Sequence, residues 1–292
     1  MKSITEAQYD ELCDACDALL NKDLSFERMA NTCLHVIREH PIFLNVYRSL
    51  FVKSDGVFYF HLLRQLIWHI VVGSYKFIHA IYRNIFLKDI LINDKRSFDY
   101  LFISHFLNET FINHERDFYF FELPEKIAEK GRSSLQLYIN FTGQSTSSIQ
   151  DIWKNKSIVS KALPRYLSLF QEVKIRGLML RESLLILAVK TSSRFEKRVK
   201  LQASIASLSS ATHSNYRLAL LVQHYVKEND VKQIFTTYEG HPWERLIYAF
   251  AREINPTVKC IGYQHALVFR KQHAIRRKLN NNFEMSGVLG FW

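Results

Sequence analysis

The chain has 292 residues, with 39 Lys and Arg against 28 Asp and Glu and a formal charge of +11. Its 48% hydrophobic and 23% charged content can fill a sizeable core, and nine Gly with five Pro are too few for a linker-rich or disordered chain. No basic segment followed by an apolar run and a cleavage site opens the sequence, and Cys13, Cys16, Cys33 and Cys260 do not make a disulfide framework, so a cytoplasmic setting is expected.

Residues 1 to about 92 read as helices, with Leu12, Cys16, Leu19 and Leu20 at spacings of three and four and a break at Pro41 after Val36–His40. Phe58–Leu87 is the longest helix candidate, rich in Phe, Ile, Val and Tyr. Arg64, His69, Lys76, His79 and Arg83 interrupt it, so its charge-free runs fall well short of the ~20 residues that a span needs. It reads either as a core helix whose basic stems reach water, the favoured alternative, or as a helix on a membrane surface.

From Lys95 the pattern changes. Phe98 to Ser104 is a short run of strand-favouring residues that ends at Ser104-His105 in a polar loop. Glu122 to Lys130 predicts a helix closed by Gly131, and Leu135 to Phe141 the next strand, with Thr142-Gly143-Gln144-Ser145 as its exit loop. Strand, helix and strand within about forty residues make a βαβ unit.

Ile158 to about Glu228 reads as helix again, with Pro164 near one start and Ser209-Ser210 or His213-Ser214 as breaks or caps. Val231–Tyr238 is then a strand, Pro242–Ile254 a helix and Val258–Tyr263 a strand. Trp243, Leu246, Ile247, Phe250, Ala251 and Ile254 fall on one face of that helix. The expected fold class is α/β: a helical region over 1–95, a Rossmann-like parallel-sheet domain over 96–270, and a basic segment and tail over 271–292.

In an open parallel sheet, ligands meet the carboxyl ends of the strands. Those positions here are Ser104-His105, Asn140 to Ser145, Glu239-Gly240-His241 and Gln264-His265. Glu239 and His241 precede a helix whose amides point toward a bound anion, and either side chain can serve as a general base on a hydroxyl. Gly240 lets the backbone turn sharply or approach a ligand. The plainer alternative makes His241 or Gly240 a cap and Glu244 a complement to the helix dipole. Gln264 and His265 offer an acceptor and an imidazole where a substrate phosphate or hydroxyl could be met. Cys13-x-x-Cys16 with Cys33 and His35 has the residue types of a zinc site, but on helices they do not converge, and no metal is expected.

Thr237-Tyr238-Glu239-Gly240-His241-Pro242-Trp243-Glu244-Arg245, then Ile254-Asn255-Pro256 and Ile261-Gly262-Tyr263-Gln264-His265, resemble the acceptor-side domain of bacterial surface-carbohydrate glycosyltransferases. Phe102-Ile103-Ser104-His105 and Tyr119-Phe120-Phe121-Glu122-Leu123-Pro124 resemble the opening strand and helix of that domain. The resemblance covers about residues 96 to 270. It implies a GT-B architecture, of which this chain holds one half, and transfer of a sugar from a nucleotide-sugar donor to a capsular or lipopolysaccharide-type glycan.

On that reading Glu239, or second to it His241, is the catalytic base, while His265, Gln264, Gly240, His105 and Thr142 bind substrate. No cofactor is implied beyond the donor substrate. The implied partners are a glycan or lipid-linked glycan acceptor and an anionic membrane at the cytoplasmic face, and the donor-holding domain is expected to be missing through truncation or a frame shift. The competing reading is a non-enzymatic basic module for nucleic acid or anionic membrane. Nucleic acid is the weaker partner, since no stacking motif or helix-turn-helix pattern is present.

Overall fold

The computed structural model describes residues 4–20, 45–86, 98–106, 108–114, 116–142, 144, 146–153, 160–162, 167–264 and 286–290. Val36–His40, Cys33, His35 and His265 lie outside these.

Six parallel strands form one sheet: β1 (Tyr100–Phe106), β2 (Ser134–Asn140), β3 (Ser160–Ala162), β4 (Gln233–Thr237), β5 (Lys259–Gln264) and β6 (Gly287–Gly290). Their order is β3-β2-β1-β4-β5-β6, so the progression reverses between β1 and β4. Tyr100 to Ile103 run in register with Gln233 to Thr236 across that boundary. A reversal of this kind opens a crevice, because the connections leaving the two central strands depart to opposite sides.

Eight α-helices are described: α1 (Glu6–Leu20), α2 (Asp55–Phe86), α3 (Leu123–Glu129), α4 (Thr146–Trp153), α5 (Leu169–Ala188), α6 (Arg194–Ala206), α7 (Ser210–Glu228) and α8 (Pro242–Ile254). The predicted α8 periodicity holds: Trp243, Leu246, Ile247, Phe250 and Ala251 are buried, and only Ile254 at the end emerges. Together with Tyr216, Val222 and Val226 of α7 they cover Leu101, Ile103, Leu137 and Ile234 of the sheet. Phe102, Phe235, Tyr263 and Phe120 fill the opposite face, with Phe102 and Phe235 stacked at 4.6 Å.

Among the described residues, the long helical stretch expected over 158–228 is four elements. It opens on the short strand β3, and Ser168, Ser193 and Ser209 each start a helix by accepting an N–H three residues on. His213 lies inside α7 rather than at a break; its Nε2 is 2.9 Å from Glu172 of α5, whose other oxygen meets Arg217.

The amino-terminal helices join this unit rather than stand apart. Leu12, Leu19, Leu50 and Phe58 share a core with Ile186 of α5 and Val199 and Ala203 of α6, while Ile175 and Met179 of α5 belong to the sheet core. The sheet also continues past residue 270, because Ile261 to Gln264 pair with Gly287 to Gly290.

Candidate functional site

The carboxyl ends of β1 and β4 bring the main candidates together. The predicted loop at Ser104-His105 is instead strand: β1 runs on to Phe106, and His105 is buried. Its Nε2 lies 2.8 Å from the Tyr119 hydroxyl, and that bond offsets the cost of burying the ring. Burial pushes the Tyr119 phenol up to about 12, with the Glu239 and Asp117 charges adding to the effect, so the phenol stays protonated at neutral pH. The Asp117 carboxylate accepts the N–H groups of Tyr119 and Phe120, both at 2.7 Å, and so fixes the turn that presents Tyr119. That turn ends at Phe121, a non-glycine residue with φ of 49°, which is held although side chains disfavour this region.

Beyond β4 the chain makes a tight loop. Gly240 has φ of 80°, a conformation glycine adopts without steric cost. Glu244, fully buried in the first turn of α8, accepts the N–H groups of Glu239 at 2.9 Å and of Gly240 and His241 at 3.0 Å. Burial pushes Glu244 up to about 8, against the pull of these three bonds. His241 occupies the N-cap position, and its Nε2 meets Glu239 Oε2 at 2.9 Å. Both side chains of this pair remain partly open to solvent. The ring of His241 stands 6.4 Å from that of His105 and stacks on Trp243 at 6.0 Å.

Two further groups are Ser104, at a strand end already expected to meet ligands, and Thr237, to which no role was assigned. Ser104 Oγ and Thr237 Oγ1 are buried at the ends of the two adjoining strands, and neither has a hydrogen-bond partner. Strand alternation puts both on the Phe102 and Phe235 face. Buried hydroxyls without partners are uncommon, and a bound polar ligand is one way to satisfy them. Beneath the loop, buried Arg245 donates to the Tyr238 hydroxyl at 2.9 Å, which ties α8 to the end of β4.

The other predicted residues sit nearby with different tasks. Phe141, next to Thr142, brings its ring within 6.0 Å of His105. Thr142 itself holds its own loop: its N–H and Oγ1 donate to Asn140 Oδ1 at 2.9 and 2.8 Å, and its Oγ1 accepts from the Gln144 N–H. Gln264 ends β5 and pairs across to Gly290. Among the described residues no group of three or more His, Cys, Asp or Glu side chains is placed to hold a metal ion.

Around the strand reversal stand the partly open Glu239–His241 pair, the buried His105 and Tyr119, and the two buried hydroxyls. Such a set donates and accepts in many directions, which suits a polyhydroxylated ligand, and the Glu239–His241 pair can take a proton from one of its hydroxyls. Compared with known protein families, curated proteins and solved structures, the chain finds no match.

Proposed function

We propose that this crevice is the acceptor-side half of a glycosyl-transfer site, acting on a surface polysaccharide or lipid-linked glycan at the inner face of the cytoplasmic membrane. The observation that carries the reading is the Glu239–His241 pair, 2.9 Å apart at the carboxyl edge of a parallel sheet and beside the β1/β4 reversal. The strand order is the one associated with Rossmann-like dinucleotide-binding sheets, as a GT-B half would require.

In the transfer step, Glu239 accepts the proton of the acceptor hydroxyl as that oxygen attacks the anomeric carbon and the nucleoside diphosphate departs. His241 orients the carboxylate. His105, with Tyr119 behind it, and the hydroxyls of Ser104 and Thr237 hold neighbouring sugar oxygens. On this reading a second sheet domain holds the donor, and binding of the acceptor sugar belongs to the sheet described here.

Saturation-transfer NMR of the full chain with methyl glycosides of glucose, galactose and N-acetylglucosamine tests the reading. Transfer to ring protons of at least one glycoside is expected, and Ser104→Ala with Thr237→Val should weaken it. No transfer to any of them, or transfer indifferent to those changes and to His105→Ala, sinks the proposal. In a protein that carries both halves, Glu239→Gln should lower turnover by about 100-fold or more.

A further inference from the structure

The exposed apolar surface is concentrated on two helices that the crevice does not use. Helix α2 is 32 residues long, about 48 Å at 1.5 Å per residue, and buries only one side against the helical core. Its outer side shows Phe60, Leu63, Ile67, Trp68, Val71 and Ile78, each more than half exposed. Helix α5, joined to it where Arg176 Nη2 donates to the Gly73 carbonyl at 2.7 Å, adds Phe170, Val173, Leu180 and Leu184. Exposed apolar surface on this scale marks an interaction site.

Charge identifies the occupant. Between Gly56 and Phe86 there is no Asp or Glu, while Arg64 and Lys76 are exposed among the apolar residues. Asp55, at the head of α2, is engaged by Arg194 and Arg198. On α5 both carboxylates turn inward, Glu172 to His213 and Glu182 to the Tyr216 hydroxyl, whereas Lys174 and Arg181 face out. Two like copies pressed together here would set cation against cation with no acid on either side. A lipid bilayer with anionic headgroups satisfies both requirements, and Tyr59, Tyr75 and Tyr82 add the amphipathic rings favoured at the headgroup level. No described helix is long and apolar enough to cross a membrane, so the contact lies in the surface plane.

We infer that the outer face of α2, with the adjoining stripe of α5, docks on an anionic lipid surface. This deepens the membrane-face location proposed above and rests on none of the transfer chemistry.

Flotation of the full chain with vesicles of phosphatidylglycerol and phosphatidylcholine in equal parts, against phosphatidylcholine alone, tests it. Binding to the anionic vesicles is expected to be about tenfold tighter or more, and to weaken with salt. Arg64→Glu with Lys76→Glu should lower it at least about tenfold, and Phe60→Ser with Trp68→Ser and Ile78→Ser should abolish it. All five positions are exposed, so circular dichroism should show an unchanged fold. A blue shift of Trp68 emission, read as the difference from Trp68→Phe, reports burial in lipid. A folded chain that binds neither vesicle, binding indifferent to both sets of changes, or a lipid-free dimer dispersed by the triple change would each overturn the inference. Glu239→Gln should leave lipid binding intact, so failure of the crevice reading and failure of the docking surface give different results.

Discussion

The Glu244 carboxylate accepts the backbone N–H of His241 at 3.0 Å, and the same side chain takes the N–H groups of Glu239 and Gly240. The loop carrying the proposed base is thus fastened by a residue of the helix that follows it. Glu244→Ala would leave three N–H groups without their acceptor, at about 1–3 kcal/mol for each one that stays buried. Urea unfolding should show a loss of at least about 2 kcal/mol, and amide exchange at residues 239–241 should rise further than elsewhere. A loss confined to global stability, with loop amides unchanged relative to the rest, would show that the loop holds its shape without Glu244.

The same carboxyl predicts a pH dependence. Glu244 has its pKa pushed from 4.5 to about 8, first by burial and further by the Glu239 charge, with the backbone bonds opposing. Between those values the folded state keeps a proton that the unfolded chain has lost, so stability falls as pH rises and levels off above about 8. The slope reaches about 1.4 kcal/mol per pH unit where the difference is a whole proton. His69 and His213, both lowered by burial, act in the opposite sense and at lower pH. Glu244→Gln should flatten this part of the curve; a variant that retains the wild-type slope would assign it to another group.

Arg198 should be the more costly half of the link between α2 and α6. Its guanidinium donates to the Leu50 and Val52 carbonyls at 2.8 and 2.6 Å and to Asp55 at 2.7 Å, and lies 5.0 Å from the centre of the Phe58 ring. Replacement by Met strips two carbonyls of their donor and should cost about 2–4 kcal/mol in urea unfolding. Asp55→Asn, at a solvent-exposed carboxyl, should cost clearly less. Equal losses would mean that the ion pair, rather than the carbonyl contacts, holds the two helices together.

The parts of the fold written in local periodicity were legible. Helix α8 shows its buried face every three to four residues, and β1, β2, β4 and β5 are short strand-favouring runs close to their predicted bounds. The candidate site was legible in position where it follows such runs, at Glu239, Gly240 and His241. Groups brought in by distant contacts were not. His105 looks like the end of a strand, because a polar pair after an apolar run reads as a loop, and the bond to Tyr119 that helps satisfy its buried ring comes from a distant turn. Tyr119 and Asp117 sit in a turn without periodicity. Ser104 was named as a strand-end position, but its pairing with Thr237 emerges only once β1 and β4 are known to adjoin. The division of the stretch after β3 was present as Ser168-x-x-Gln171 and Ser193-x-x-Glu196, both capping signals, within a sequence whose apolar content runs through them.

The segment at 287–290 supplies the last prediction. Preceded by a basic stretch and rich in small and apolar residues, it falls in the tail expected over 271–292. The fold uses it as the edge strand β6: Ile261, Gly262, Tyr263 and Gln264 pair with Gly287, Val288, Leu289 and Gly290. Ser286 strengthens the join, accepting from the Cys260 N–H at 3.1 Å and from Arg252 at 3.2 Å. Without it, β5 becomes an open edge, and unpaired edges recruit other strands. Ending the chain at residue 285 should therefore expose the β5 amides to exchange and promote aggregation, while β1 and β2, on the other side of β4, keep their protection. Hydrogen exchange read by mass spectrometry on the two chains decides it, and unchanged β5 protection in the shortened chain would show that β6 contributes nothing to the sheet.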